Sequence, residues 1–170
     1  MTDKEKAVAA IGGLGLVGGL VYLATRKVKA PPEGPPAAVK IEVYDSEGNL
    51  VPSNSPVTLD EGATYTVMVA VTNKTTRGGV PWEANLETII MAATTLVDLI
   101  PYDVREALFA PNETKSFTSP LVIPVGLGGQ TGAITVDVFD PAGILLAYAV
   151  EPLTIQSVAI IYGATVTIGV

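Results

Sequence analysis

Val57 to Thr75 reads VTLDEGATYTVMVAVTNKT. From Tyr65 onward its apolar positions fall on every second residue, at Tyr65, Val67, Val69 and Val71, with threonine, methionine and alanine between them. A period of two in a run rich in β-branched residues is the signature of a strand buried on one face. The same period recurs at Val39, Ile41 and Val43, at Ile134, Val136 and Val138, and at Val166, Ile168 and Val170. Turn-forming clusters separate these runs: DSEGN (45–49), NKTTRGG (73–79), APNE (110–113), GLGG (126–129) and DPAG (140–143). In each, glycine, proline, asparagine or aspartate supplies the backbone freedom or local hydrogen bond a reversal needs. Seven to ten short strands spaced in this way predict an all-β body over residues 39–170, an antiparallel β-sandwich.

The stretch from Trp82 to Phe109 is harder to read. ANLETIIMAATTLVDLI (84–100) has the look of an amphipathic helix, but Thr88, Thr94 and Thr95 together with Ile89, Ile90 and Val97 favour strands. Pro81 and Pro101 bracket it, so two strands are expected, and the sequence leaves room for a short helical turn at Tyr102 to Ala107.

Ahead of the body lies a different kind of sequence. Ala7 to Thr25, AVAAIGGLGLVGGLVYLAT, contains no charge, and as a helix it would extend about 28 Å, close to the hydrocarbon thickness of a bilayer. Lys4 and Lys6 precede it, Arg26, Lys27 and Lys29 follow it, and Tyr22 stands near one end, where aromatic rings sit at headgroup level. No polar face is present, which excludes a helix lying on the membrane surface. Residues 1–28 are therefore read as a single transmembrane α-helix with basic flanks, its partner the membrane lipid around residues 7–25. Gly12, Gly15 and Gly19 share one face and would let two such helices approach closely, although glycine-rich spans without a partner are as common. Residues 29–38, KAPPEGPPAA, form a proline-rich, semi-rigid spacer.

Gly13 to Gly18 matches GxGxxG, the pattern that opens a dinucleotide-binding fold. That fold then requires alternating strands and helices, and Pro31, Pro32, Pro35 and Pro36 end the alternation instead. A cleaved secretory signal is disfavoured by the bases of LATRKVKA where small residues belong. Processing after Lys6, as in pilin-like precursors, remains a minor alternative.

Composition excludes much chemistry. The 170 residues include no Cys and no His, which removes disulfides, thiol nucleophiles, imidazole acid–base catalysis and Cys/His zinc sites. The net charge of −7 divides into a basic head and an acidic body without a basic stripe, so no nucleic-acid partner is expected. Acidic pairs are plentiful, but no motif places two at a catalytic separation, and neither an enzyme activity nor a cofactor is predicted.

IEVYDSEGNLV (41–51) and VDVFDPAGILL (136–146) echo one another as strand, Asp-Gly type turn and returning strand. Asp45, Glu47, Asn49 and Asp140 offer oxygen atoms for calcium, against the simpler reading that turn carboxylates cap their own backbone. Asn73-Lys74-Thr75 and Asn112-Glu113-Thr114 are N-x-T triplets in expected exposed turns, making Asn73 and Asn112 candidate glycan acceptors. The uncharged SVAIIYGATVTIGV (157–170) is either an ordinary last sandwich strand or, through Val166, Ile168 and Val170, a strand for pairing with another chain.

Taken together, VTLDEGATYTVMVAVTNKT, LFAPNETKSFTSPLVIP (108–124) and GQTGAITVDVFDPAGILLA (129–147) make the body resemble the CARDB-type cell-adhesion modules and related immunoglobulin-like sandwiches of prokaryotic surface and virus-associated proteins. The resemblance spans about residues 57–155. It implies a seven-stranded sandwich with an adhesive or structural role and carries no catalytic residues onto this chain. The expectation is a non-enzymatic, single-pass membrane protein, its body extracellular or on a virion surface, binding other surface or virion proteins and forming homo-oligomers. The alternatives are a self-assembling filament or virion shell subunit with helices inside and sandwiches outside, and a calcium-dependent carbohydrate-binding module.

Overall fold

The computed structural model describes residues 36–158. The predicted transmembrane helix with Gly12, Gly15 and Gly19, most of the spacer, and the strand at Val166, Ile168 and Val170 lie outside the described residues. The described chain forms β1 (Ala37–Tyr44), β2 (Val57–Asp60), β3 (Thr64–Asn73), β4 (Thr76–Arg77), β5 (Val80–Pro81), β6 (Ala84–Thr94), β7 (Asp98–Phe109), β8 (Thr114–Val122), β9 (Thr131–Phe139) and β10 (Leu145–Gln156). A three-stranded sheet in the order β1-β3-β8 lies over a five-stranded sheet in the order β2-β10-β9-β6-β7, while β4 and β5 form a separate small hairpin.

Alternation determines which side chains meet between the sheets. In β3, Tyr65, Val67, Val69, Val71 and Asn73 point inward and are buried, whereas Thr64 and Thr66 face solvent. They pack into one continuous core with Val43 of β1, Leu121 of β8, Leu86 and Ile90 of β6, and Ile134 and Val136 of β9. Burying that apolar area is the main source of stability, at roughly 25 cal/mol per Å². At Gly132 the strands approach so closely that an added Cβ would collide with the Ala93 carbonyl, so the position has no room for a side chain.

Several expectations are corrected in detail. Residues 102–107 continue β7 as strand rather than forming a helical turn, because Ile89, Thr88 and Glu87 pair with Val104, Arg105 and Glu106. The two strands expected between Trp82 and Phe109 are present as β6 and β7. The seven strands implied by the resemblance become eight in the two layers, and β10 pairs with β2 in parallel, not antiparallel. The first Asp-Gly echo does not return as a strand: after the turn only the bridge between Tyr44 and Leu50 forms. The body begins at Ala37, two residues before the expected boundary, because Ala37 pairs with Asn73.

β6 lies between β7 and β9, and both of its faces are apolar. Ile90 enters the main core, while Ile89 and Met91 join Phe139 in a second cluster on the other face. The inward Thr88 hydroxyl has no hydrogen-bond partner within the described residues. Replacing it with the near-isosteric valine removes an unsatisfied polar atom. Thr88→Val is therefore expected to raise stability by about 1 kcal/mol in a urea titration, and a loss of that size would show that the hydroxyl is satisfied.

Candidate functional site

The end of the sandwich where β1 begins carries the exposed side chains of Lys74, Arg77, Val80 and Trp82, and one buried residue organises it. Asn73, the last residue of β3, is fully buried. Its Nδ2 donates to the carbonyls of Trp82 at 2.8 Å, Ala110 at 3.1 Å and Phe109 at 3.4 Å. Its Oδ1 accepts from the Thr75 amide at 2.9 Å and the Thr75 hydroxyl at 2.7 Å. One side chain thus ties the base of the β4–β5 hairpin to the β7–β8 turn. The expectation that Asn73 lies in an exposed turn is overturned, because its amide is consumed by these carbonyls and no glycan could be seated there. Asn112, by contrast, is exposed in the β7–β8 turn with φ of 61°. Asparagine tolerates that left-handed conformation better than most residues.

The hairpin itself projects as a finger. Gly78 and Gly79 both have positive φ, 59° and 78°, the combination required by a two-residue reversal that matches strand twist. Val80 is 62% exposed and Trp82 48% exposed, and the Arg77 guanidinium lies 4.7 Å from the centre of the Trp82 ring, a cation–π contact. Trp82 N donates to Thr75 O at 2.9 Å, closing the base of the finger. Beside it, Lys74 N donates to Pro36 O at 2.9 Å. The point at which the chain enters the body and the base of the finger are therefore in direct contact. Triplet spacing in the sequence carries no sign of this; the only signals available were an unpaired Gly-Gly and the sole tryptophan.

The oxygen-bearing residues considered for calcium do not converge. Asp45 follows β1 at the opposite end of the sandwich, near Tyr65, whereas Asp140 follows β9 at the finger's end. The Asp45 Oδ1 accepts from the backbone amides of Glu47 at 2.9 Å and Asn49 at 2.8 Å, and Asn49 Nδ2 donates to Oδ2 at 3.1 Å. These donors, the Asn49 amide foremost, hold the Asp45 carboxyl below its ordinary range. Asp140 Oδ1 likewise accepts from Ile144 N at 2.8 Å. Among the described residues no three Asp or Glu side chains are grouped to hold a metal ion.

Other polar clusters hold the layers together. Asp103 and Arg105 of β7 form an ion pair at 3.0 Å; Arg105 also donates to Thr118 O at 3.3 Å, and Ser119 of β8 donates to the same Asp103 oxygen. This serine has a carboxylate and a guanidinium as neighbours, and it joins the edges of the two sheets. At the opposite end Glu61 accepts from Gly126 N and Gly128 N, ordering the β8–β9 loop. Asn85, Glu87, Glu106 and Pro141 line a shallow depression on the outer face of the five-stranded sheet, with Glu87 directly across from Glu106.

No protein-family model matches the chain, and no curated protein matches it in sequence. Among solved structures, the chain is similar to the CARDB domain of a Pyrococcus furiosus protein described in complex with di-metal ions, at 13% identity over 76% of this chain and 96% of that one, with a TM-score of 0.48. It is also similar to the C-terminal domain of wzt, at 11% identity over 85% and 92% of the two chains and a TM-score of 0.49. A Niemann-Pick type C2 protein from Japanese carpenter ant shares 9% identity over 70% and 96%, with a TM-score of 0.44. The first of these is of the module type that the sequence resembles. The likeness is one of layered β architecture, and the sandwich assignment itself rests on the sheets and core described above.

Proposed function

We propose that this chain is a non-enzymatic, single-pass membrane protein whose β-sandwich is displayed outside a cell or on a virion and acts through protein contacts in structure or adhesion. The observation that carries the reading is the order of three segments. An uncharged nineteen-residue stretch bracketed by bases comes first, a proline spacer second, and a sandwich third whose entry point lies at one end of the layers rather than mid-sheet. Among the described residues no helix is long and apolar enough to cross a membrane, which leaves Ala7 to Thr25 as the segment to test. Full-length protein is expected to float with lipid vesicles and to resist alkaline extraction, and deletion of residues 1–28 to release the body into the aqueous fraction. Full-length protein that stays monomeric in buffer without detergent or lipid would end the proposal.

A second reading, a self-assembling subunit, is favoured by β7. This twelve-residue strand pairs only with β6 among the described strands and leaves Val104 and Leu108 exposed along a sheet edge. An open edge of that length is a template for another strand. Ordered polymers in negative stain of the detergent-extracted protein would favour the subunit over the discrete anchor.

A further inference from the structure

We infer that the β4–β5 finger is a membrane-contact element: Val80, Pro81 and Trp82 enter the headgroup region of the bilayer that holds the chain, while Lys74 and Arg77 meet lipid phosphates. This deepens the anchor reading and rests on it. The first step is geometric. Pro36, where the spacer joins the body, is hydrogen-bonded to Lys74 at the finger's base, so the tether and the finger share one end of the sandwich. The spacer therefore joins the sandwich at the end that carries Trp82.

Distance permits contact. The spacer from Ala30 to Pro36 reaches about 22 Å when fully extended, at about 3.1 Å per residue. The finger extends roughly 10 Å beyond Asn73, at about 3.3 Å per strand residue. The tip meets the surface once the spacer is shortened from full extension by about 12 Å, the difference between these two lengths.

Composition favours lipid over other partners. Only five bases lie in the otherwise acidic body, and two of them, Lys74 and Arg77, are in this finger, with Glu83 the single acid in it. The acidic remainder is repelled by an anionic surface, so the finger is the part of the body that such a surface attracts. Tryptophan is the side chain most suited to the membrane–water boundary, with an apolar ring and one donor. Its ring is already paired with Arg77, which orients an aromatic and a cation together toward the same layer.

Trp82 is the sole tryptophan, so it reports on itself. The full-length chain is reconstituted into vesicles of equal parts phosphatidylcholine and phosphatidylglycerol, with and without bromine in the upper acyl chain. Flotation first establishes incorporation. The expected result is emission shifted to shorter wavelength than in detergent-free buffer for the body lacking residues 1–28, and at least twofold quenching by the brominated lipid. The paired variant Lys74→Glu with Arg77→Glu should still float and should lose the quenching. If the chain floats but Trp82 emission is the same in brominated and unbrominated vesicles, the inference is overturned and the anchor stands. If the chain does not float, both fall.

Discussion

Phe109→Ala is expected to destabilise the body by about 3–5 kcal/mol, with the midpoint of urea unfolding lowered and its slope unchanged. Phe109 ends β7 and is the largest fully buried side chain among the described residues. Its ring meets Phe117 of β8 edge-on, with centroids 6.4 Å apart and planes at 66°, and Lys115 Nζ lies 5.5 Å from its centre. Because β7 belongs to one sheet and β8 to the other, this pair closes the side of the sandwich where the chain crosses between layers. Removing the ring leaves a cavity that neither sheet can fill, since each is held by its own hydrogen bonds. Phe117→Ala, at a half-buried position, should cost less, and the two substitutions together should show a coupling of about 0.5–1.5 kcal/mol. A loss under about 1 kcal/mol for Phe109→Ala would mean that the sheets do not pack through this ring.

The sandwich was legible where one face of a strand meets water. β3 alternates without a break, so its period alone assigns both its structure and its inward residues. β6 is buried on both faces, with Ile90 in one cluster and Ile89 and Met91 in another, and a strand covered on both sides has no period of two to display. That is why its sequence imitates a helix. β10 is obscured by Glu151 and Pro152, and the register shows how the proline is tolerated: pairing with β2 starts only at Leu153, so no ladder bond on that side is lost. The end that carries the finger was less legible still. An N-x-T triplet reads the same whether its asparagine faces solvent or holds three carbonyls, because those carbonyls come from residues 82, 109 and 110, distant in sequence from it. Burial of a polar residue is a property of the assembled layers, and local pattern does not encode it.

Asn73→Ala is the second large effect and the one that joins stability to the proposed membrane contact. Truncation orphans the amide of Thr75 and takes one donor each from the carbonyls of Trp82 and Ala110, which keep the Thr75 hydroxyl and the Glu113 amide. At about 1–3 kcal/mol for the orphaned amide and about 0.5–1.5 kcal/mol for each hydrogen bond lost to a carbonyl, with partial relief at the exposed finger, the expected loss is about 2–4 kcal/mol in urea unfolding. The finger should loosen at the same time, because Asn73 and the Thr75 to Trp82 bonds are what fix its base. Trp82 emission should then move toward that of free tryptophan in water before the body unfolds. Asn73→Asp separates the donor from the acceptor role. It keeps the oxygen that serves Thr75 but turns a carboxylate toward three carbonyl oxygens, which raises the folded-state pKa of the new group above its unfolded value of about 4. A raised carboxyl is favoured in its protonated form, which retains one donor, so the variant should be most stable below that unfolded value. It should then lose stability as pH rises through the folded value. Equal stability of Asn73→Asp and the parent at pH 7 would show that the amide's donors do not hold the finger, and with them would go the rigid arrangement of Arg77 and Trp82 on which the proposed membrane contact rests.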